Sequence, residues 1–163
     1  LILDATGALE ISNVGPEKSL RSLDHQRMVN QFTVNAIGPA MLIKHFMKFL
    51  PRNGKAVFAS LSARVGSVED NQLGGWISYR ASKAALNQII KTASIEASRI
   101  NPHSVFISIH PGTVRSKLTE QYLRNHKFVE PFEAARNILQ VIEQKGFQDT
   151  GGFYAFDGNR IPY

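Results

Sequence analysis

The chain has 163 residues, 43% hydrophobic and 20% charged, the proportions of one soluble globular domain long enough to bury a core. It has no cysteine, which excludes a disulfide framework and a thiolate metal site, and its five histidines show no ligand spacing, so no metal is expected. The net charge of +6 would suit an anionic partner, but the basic residues are scattered without a block or an aromatic–basic alternation, so no nucleic acid is expected.

No apolar run reaches the roughly 18 residues of a membrane span and no signal peptide is visible, so neither a membrane nor an exported location is expected, and the cytoplasm is. In chain order, Leu1-Ile2-Leu3 opens on a buried-strand run with no Met and no polar lead-in, which suggests a piece of a longer protein. A strand is expected over 1–5. A helix follows over about 22–50, with Met28, Phe32, Asn35, Pro39, Leu42 and Phe46 along one face, ended by Pro51 and Gly54. The second strand, about 55–62, is nearly continuously apolar, as a strand covered on both sides should be.

A polar, Gly-containing loop over 64–76 leads into a helix that bears Tyr79 and runs to about Ile100. Its inward stripe is expected to be Ala85, Leu86, Ile89, Ala93, Ala97 and Ile100, and Asn101-Pro102 stops it. A third strand spans about 105–110 and closes with Pro111-Gly112. A last helix, about 131–145, starts on Pro131 and shows Phe132, Ala135, Ile138, Leu139 and Ile142 as its stripe; a fourth strand covers about 153–156. Alternating strands and helices argue for a parallel α/β sheet, with four strands and three helices in a single domain over 1–163.

Within this frame Tyr79-Arg80-Ala81-Ser82-Lys83 carries chemistry. Positions four apart share a helix face, so the phenol and the ammonium are neighbours. A cation beside a phenol favours the phenolate and lowers its pKa, and a phenol so tuned can exchange a proton with an alcohol or carbonyl oxygen. Asn35 lies on the apolar stripe of its helix, where an unpaired amide is costly. Pro39 has no N–H, so the Asn35 carbonyl loses its usual partner and the helix should kink there, leaving a site for a water.

The order of strand, Asn-bearing helix, strand ending in serine, Tyr-x-x-x-Lys helix and strand ending in Pro-Gly resembles the C-terminal portion of the short-chain dehydrogenase/reductase family. The run from Tyr79 to Asn87 is most similar to its carbonyl-reductase-like branch. The resemblance implies a Rossmann-like, doubly wound fold lacking its N-terminal part, and NAD(P)-dependent interconversion of an alcohol and a carbonyl on a small molecule. NADP is slightly favoured over NAD, and a homo-oligomer is implied.

In these terms Tyr79 is the general acid/base, Lys83 lowers its pKa and binds the nicotinamide ribose, and Asn35 holds a relay water. Pro111, Gly112 and Ser116 approach the nicotinamide, and residues from about 117 to 130 form a mobile substrate loop. Asp4-Ala5-Thr6-Gly7 stands where the family writes Asn-Asn-Ala-Gly, so only Gly7 is retained at that edge of the cofactor. The family's catalytic serine falls on Ala63, with Ser62 one place earlier; Ser62 is the best hydroxyl candidate and Ser60 stands behind it. No Gly-rich dinucleotide turn occurs in the 163 residues, so these residues alone are expected to be inactive. Two rivals stand beside this reading: a catalytically silent scaffold, supported by Ala63 and the altered Asp4–Gly7 run, and a nucleic-acid binder, supported only by the charge.

Overall fold

The computed structural model describes residues 1–116, 119 and 128–163. Among these, four strands form one sheet in the order β1 (Ile2–Asp4), β2 (Ala56–Leu61), β3 (Ser104–His110), β4 (Phe153–Ala155). Every neighbouring pair is parallel, with Asp4 opposite Ser60 and Ser60 opposite Ser108. The elements between strands are helical, as the crossovers of a parallel sheet require. This is the Rossmann-like α/β architecture expected from the alternating pattern.

The long first helix is three pieces. Asp24 caps α1 (His25–Phe32) by accepting the Arg27 N–H at 2.9 Å, a π-turn follows over Thr33–Ile37, and α2 is Gly38–Phe46. In the π-turn the Gly38 N–H reaches the Thr33 carbonyl, five residues back. Pro39 cannot donate, so the chain widens by one residue just before it instead of simply bending.

The two later helices bury part of the stripes expected, Leu86 and Ala97 in one and Ile138 and Ile142 in the other, but the rest of each buried face lies one position away. In α3 (Ile77–Ile100) the buried face is Tyr79, Ser82, Lys83, Leu86, Asn87, Ile90, Ser94 and Ala97; Ala85, Ile89 and Ala93 are half-buried and Ile100 is 59% exposed. In α4 (Pro131–Gln144) Ala134, Ile138, Val141 and Ile142 are buried, while Phe132 is 83% exposed. The cause in α3 is that the inward face is largely polar, so a search for apolar residues finds the adjacent face. Phe46 is exposed likewise, and Ile43 takes its place inside.

Two apolar layers result. Val57, Ala59, Val105, Ile107 and Ile109 pack against Ile138, Val141 and Ile142 of α4. On the opposite face Phe58 and Phe106 meet Leu86, Ile90 and Ala97 of α3 and Ile43 of α2. Asn101, just past α3, donates to the carbonyls of Pro51 and Gly54 at 3.0 Å and fixes where that helix ends relative to β2. No helix among the described residues is long and apolar enough to cross a membrane.

Candidate active site

Two of the polar side chains that α3 turns inward, Lys83 and Asn87, meet the chain at the C-terminal end of β2. Tyr79 and Lys83 lie one turn apart there, 7% and 3% exposed. Lys83 Nζ donates to the Leu61 carbonyl at 3.0 Å. It also passes close to Gly7, whose φ of +149° favours glycine: a Cβ there would stand 3.1 Å from Lys83 Nζ and 3.2 Å from Asn35 Oδ1. Gly7, Asn35 and Lys83 therefore form one constellation. Gly66 brings α3 in from the other side, since a Cβ on it would sit 2.8 Å from Lys83 Cβ.

Burial sets the protonation of the pair. Desolvation lowers Lys83 to about 8, opposed by the negative charge of Asp4. Burial also pushes the Tyr79 phenol up to about 12. This differs from the expectation that Lys83 pulls the phenol down: the cause acting on the phenol here is its removal from water. In this state Tyr79 holds its proton throughout the physiological range.

The Asn35 amide is fully engaged. It accepts the Ala8 N–H at 2.9 Å and donates to the Ala8 carbonyl at 2.8 Å and to Gln31 Oε1 at 2.6 Å, while Gln31 donates to the Leu9 carbonyl. Its side chain thus ties the segment after β1 to the π-turn. The Asn35 main-chain carbonyl, the group expected to hold a water, stands four residues before Pro39 and so has no N–H partner at that position.

The serine at the end of β2 is also occupied. Ser62 Oγ donates to Asn87 Oδ1 at 2.8 Å inside the β2–α3 interface, and Ser62 is 4% exposed. Ser60 Oγ donates to Asp4 Oδ2 at 2.7 Å. Ser62, the best hydroxyl candidate for a substrate oxygen, has its hydroxyl proton committed to Asn87 in this structure. Alternation along the strand turns it toward α3, and half-buried Ala63, the next residue, offers no hydroxyl.

At the end of β3, Gly112 has φ +79° and a Cβ there would come within 3.0 Å of the Phe156 ring, so this turn needs glycine. Pro111 beside it is half-buried, and Ser116 is exposed with its N–H bonded to Thr119 Oγ1 at 3.1 Å. Arg115 is held by Glu130 at 3.2 Å and lies over the Phe128 ring at 4.3 Å. Most of the substrate loop expected over 117–130 lies outside the described residues.

Sequence reasoning did not single out Glu17 or Asn87. Glu17 is 3% exposed; its Oε1 accepts from Ser78 Oγ at 2.5 Å and its main-chain carbonyl accepts the Trp76 N–H. That holds Trp76 in a left-handed conformation, φ 53°, at the start of α3, with its ring edge-on to Tyr79 at 6.3 Å. Ser78 is 61 positions from Glu17, so no local pattern could reveal the pair. Asn87 did carry a signal, an amide at an inward helical position one turn past Lys83.

A family profile described as Enoyl-(Acyl carrier protein) reductase matches residues 9–159. The chain is 30% identical over 162 residues to 1-hydroxy-2-glutathionyl-2-methyl-3-butene dehydrogenase of Rhodococcus sp., covering 99% of this chain and 67% of that protein. It is 29% identical to C-signal of Myxococcus xanthus, covering 89% of this chain and 84% of that protein. Its fold matches carbonyl reductase Sniffer of D. melanogaster and the NADPH-bound carbonyl reductase from chicken fatty liver, each with a TM-score of 0.85 at 23% identity over 99% of this chain. The chain spans 65% and 64% of those two structures. These matches, over a parallel α/β sheet with Tyr79 and Lys83 at its carboxyl ends, identify the chain as a member of the short-chain dehydrogenase/reductase family of oxidoreductases.

Proposed function

We propose that this chain supplies the proton-transfer half of an NAD(P)-dependent oxidoreductase that interconverts a small-molecule carbonyl and its alcohol. The observation that carries the reading is the burial of Tyr79 and Lys83 on one face of α3, with the Lys83 ammonium seated beside Gly7 at the carboxyl ends of β1 and β2. Ligands of open α/β sheets bind in that crevice.

The residues present suit a nicotinamide group. Gly7 and Gly112 let backbone approach closely, and Lys83 spends one of its three donors on Leu61, leaving donors for ribose hydroxyls. Gly7, Lys83, Tyr79, Pro111, Gly112 and Ser116 would hold the group, which supplies or accepts a hydride when bound. Tyr79, kept protonated by its burial, is poised to donate to a carbonyl oxygen, so the reductive direction is the one the resting site favours. The Asn35 carbonyl, deprived of its helical partner by Pro39, would hold a water on the proton's route. NADP is the slightly favoured dinucleotide, as the neighbours' names suggest. Exposed Val29, Ile37, Met41 and Ile95 on the first three helices suit the homo-oligomer implied by the family.

Tyr79→Phe keeps the ring and removes only the ionising oxygen. In protein that carries these residues together with a dinucleotide-binding turn, turnover of a carbonyl panel with NADPH should fall by roughly 10²–10⁴. Unchanged turnover would refute the assignment. A second reading, a catalytically silent scaffold, draws on Ala63 and on the commitment of Ser62 to Asn87. No turnover in the unsubstituted protein, over the whole panel and with either dinucleotide, would favour it.

A further inference from the structure

Asp4 ends β1 with its carboxylate 4% exposed. Its Oδ1 accepts the Thr6 N–H at 2.9 Å and the Thr6 hydroxyl at 2.6 Å, and its Oδ2 accepts the Ser60 hydroxyl at 2.7 Å. Every partner is a donor, the surroundings that an acceptor-only carboxylate requires. Among the described residues no Lys or Arg bonds it directly. The register places Asp4 opposite Ser60, one residue before Leu61, whose carbonyl holds the Lys83 ammonium.

Lys83 is 3% exposed and has one hydrogen-bond acceptor among the described residues. A single neutral carbonyl does not offset the cost of burying an ammonium. Among the described residues, the groups shown beside it are uncharged: Gly7 from the segment after β1, Asn35 from the π-turn, Gly66 from the turn after β2, and Tyr79 on its own helix. Asp4 is the charge that acts on it.

We propose that Asp4 is the counter-charge of the proton-transfer pair, a positioning residue whose buried carboxylate keeps the Lys83 ammonium charged and seated on the Leu61 carbonyl. This rests on reading Tyr79 and Lys83 as that pair, but its direct claim concerns Lys83 alone. It also gives meaning to the departure at Asp4, where the resemblance would place an asparagine. An amide there could satisfy Thr6 yet supply no charge.

The test is a pH titration of the lysine side chains, labelled with ¹³C and ¹⁵N and followed by NMR, in the unsubstituted chain and in Asp4→Asn. The Lys83 midpoint, about 8, should fall by roughly one unit or more in the variant, a tenfold loss of ammonium at a given pH, while the other lysines stay put. An unmoved midpoint overturns the proposal. If Asp4→Asn does not fold, the Asp4 carboxyl ¹³C of the unsubstituted chain is followed instead. It should inflect as Lys83 loses its proton, and a flat response there overturns the proposal equally. Neither readout needs turnover, so failure of the Tyr79→Phe test and failure of this one are distinguishable.

Discussion

On the side of the sheet that faces α4, Val57, Ala59, Val105, Ile107 and Ile109 are apolar from one end of the strands to the other. On the side that faces α3 the composition changes along the strands. Ile2, Phe58 and Phe106 share one row, with the two rings stacked at 5.5 Å. One step on, the row is Asp4, Ser60 and Ser108, and beyond it come Ser62 and His110. The α4 face is uniform because it only has to exclude water. The α3 face divides its work: the amino ends hold the helix, and the carboxyl ends hold polar groups at the crevice where the site lies. Packing and chemistry are thus separated by one strand step.

The hardest test of that division is Phe106→Ala. It removes a fully buried ring from the apolar row and should cost about 3–5 kcal/mol by chemical denaturation, since the stacked Phe58 cannot fill the space alone. A loss under about 1 kcal/mol would mean that this row does not anchor α3.

A smaller effect is expected at His110, on the polar half. Burial first, then the positive charge of Arg64, hold it down to about 4, with Asp157 opposing; its Nδ1 has no hydrogen-bond partner among the described residues. The folded chain therefore keeps the imidazole neutral, while the unfolded chain takes up a proton near pH 6.5. Stability is complete above about 6.5 and is lost as pH falls from there to about 4, by up to about 3 kcal/mol. Denaturation midpoints of the unsubstituted chain and His110→Asn, compared across that window, should converge as the pH drops. Parallel curves would show that His110 is not the titrating group.

The smallest effect should be that of Ser108→Ala. Ser108 Oγ is buried without a partner among the described residues, so deleting it removes an unsatisfied group and should change stability by no more than about 0.5 kcal/mol. A larger loss would show that this hydroxyl makes an interaction the row depends on. Together with Phe106→Ala this sets neighbours on one face of one strand at opposite ends of the scale.

The sequence showed the strands and their parallel order plainly, because continuous apolar runs bounded by Gly and Pro have one reading in an alternating pattern. The site was legible where spacing is local: Tyr79 and Lys83 on one helical turn, and Gly7 and Gly112 where backbone must turn. It was obscure where apolar periodicity served as the guide to what is buried. In α3 the inward face carries Ser82, Lys83, Asn87 and Ser94, so the apolar stripe pointed to Ala85, Ile89 and Ala93 instead. The Ser62 bond to Asn87 was not legible because the two residues lie 25 positions apart. The pKa of Tyr79 went the other way because spacing reveals the ammonium but not the depth of burial.

The π-turn at Thr33–Ile37 has a consequence for how this chain can change over generations. Such a turn behaves as a one-residue insertion that a regular helix has absorbed. Removing one residue between Gln31 and Asn35 would restore an unbroken helix and bring those two side chains from four positions apart to three. Gln31 lies before the turn and Asn35 within it, and both clasp the Ala8–Leu9 backbone. After such a deletion the Gln31–Asn35 hydrogen bond and both contacts with that segment would have to re-form in a different geometry. The length of this stretch should therefore be inherited more strictly than its composition.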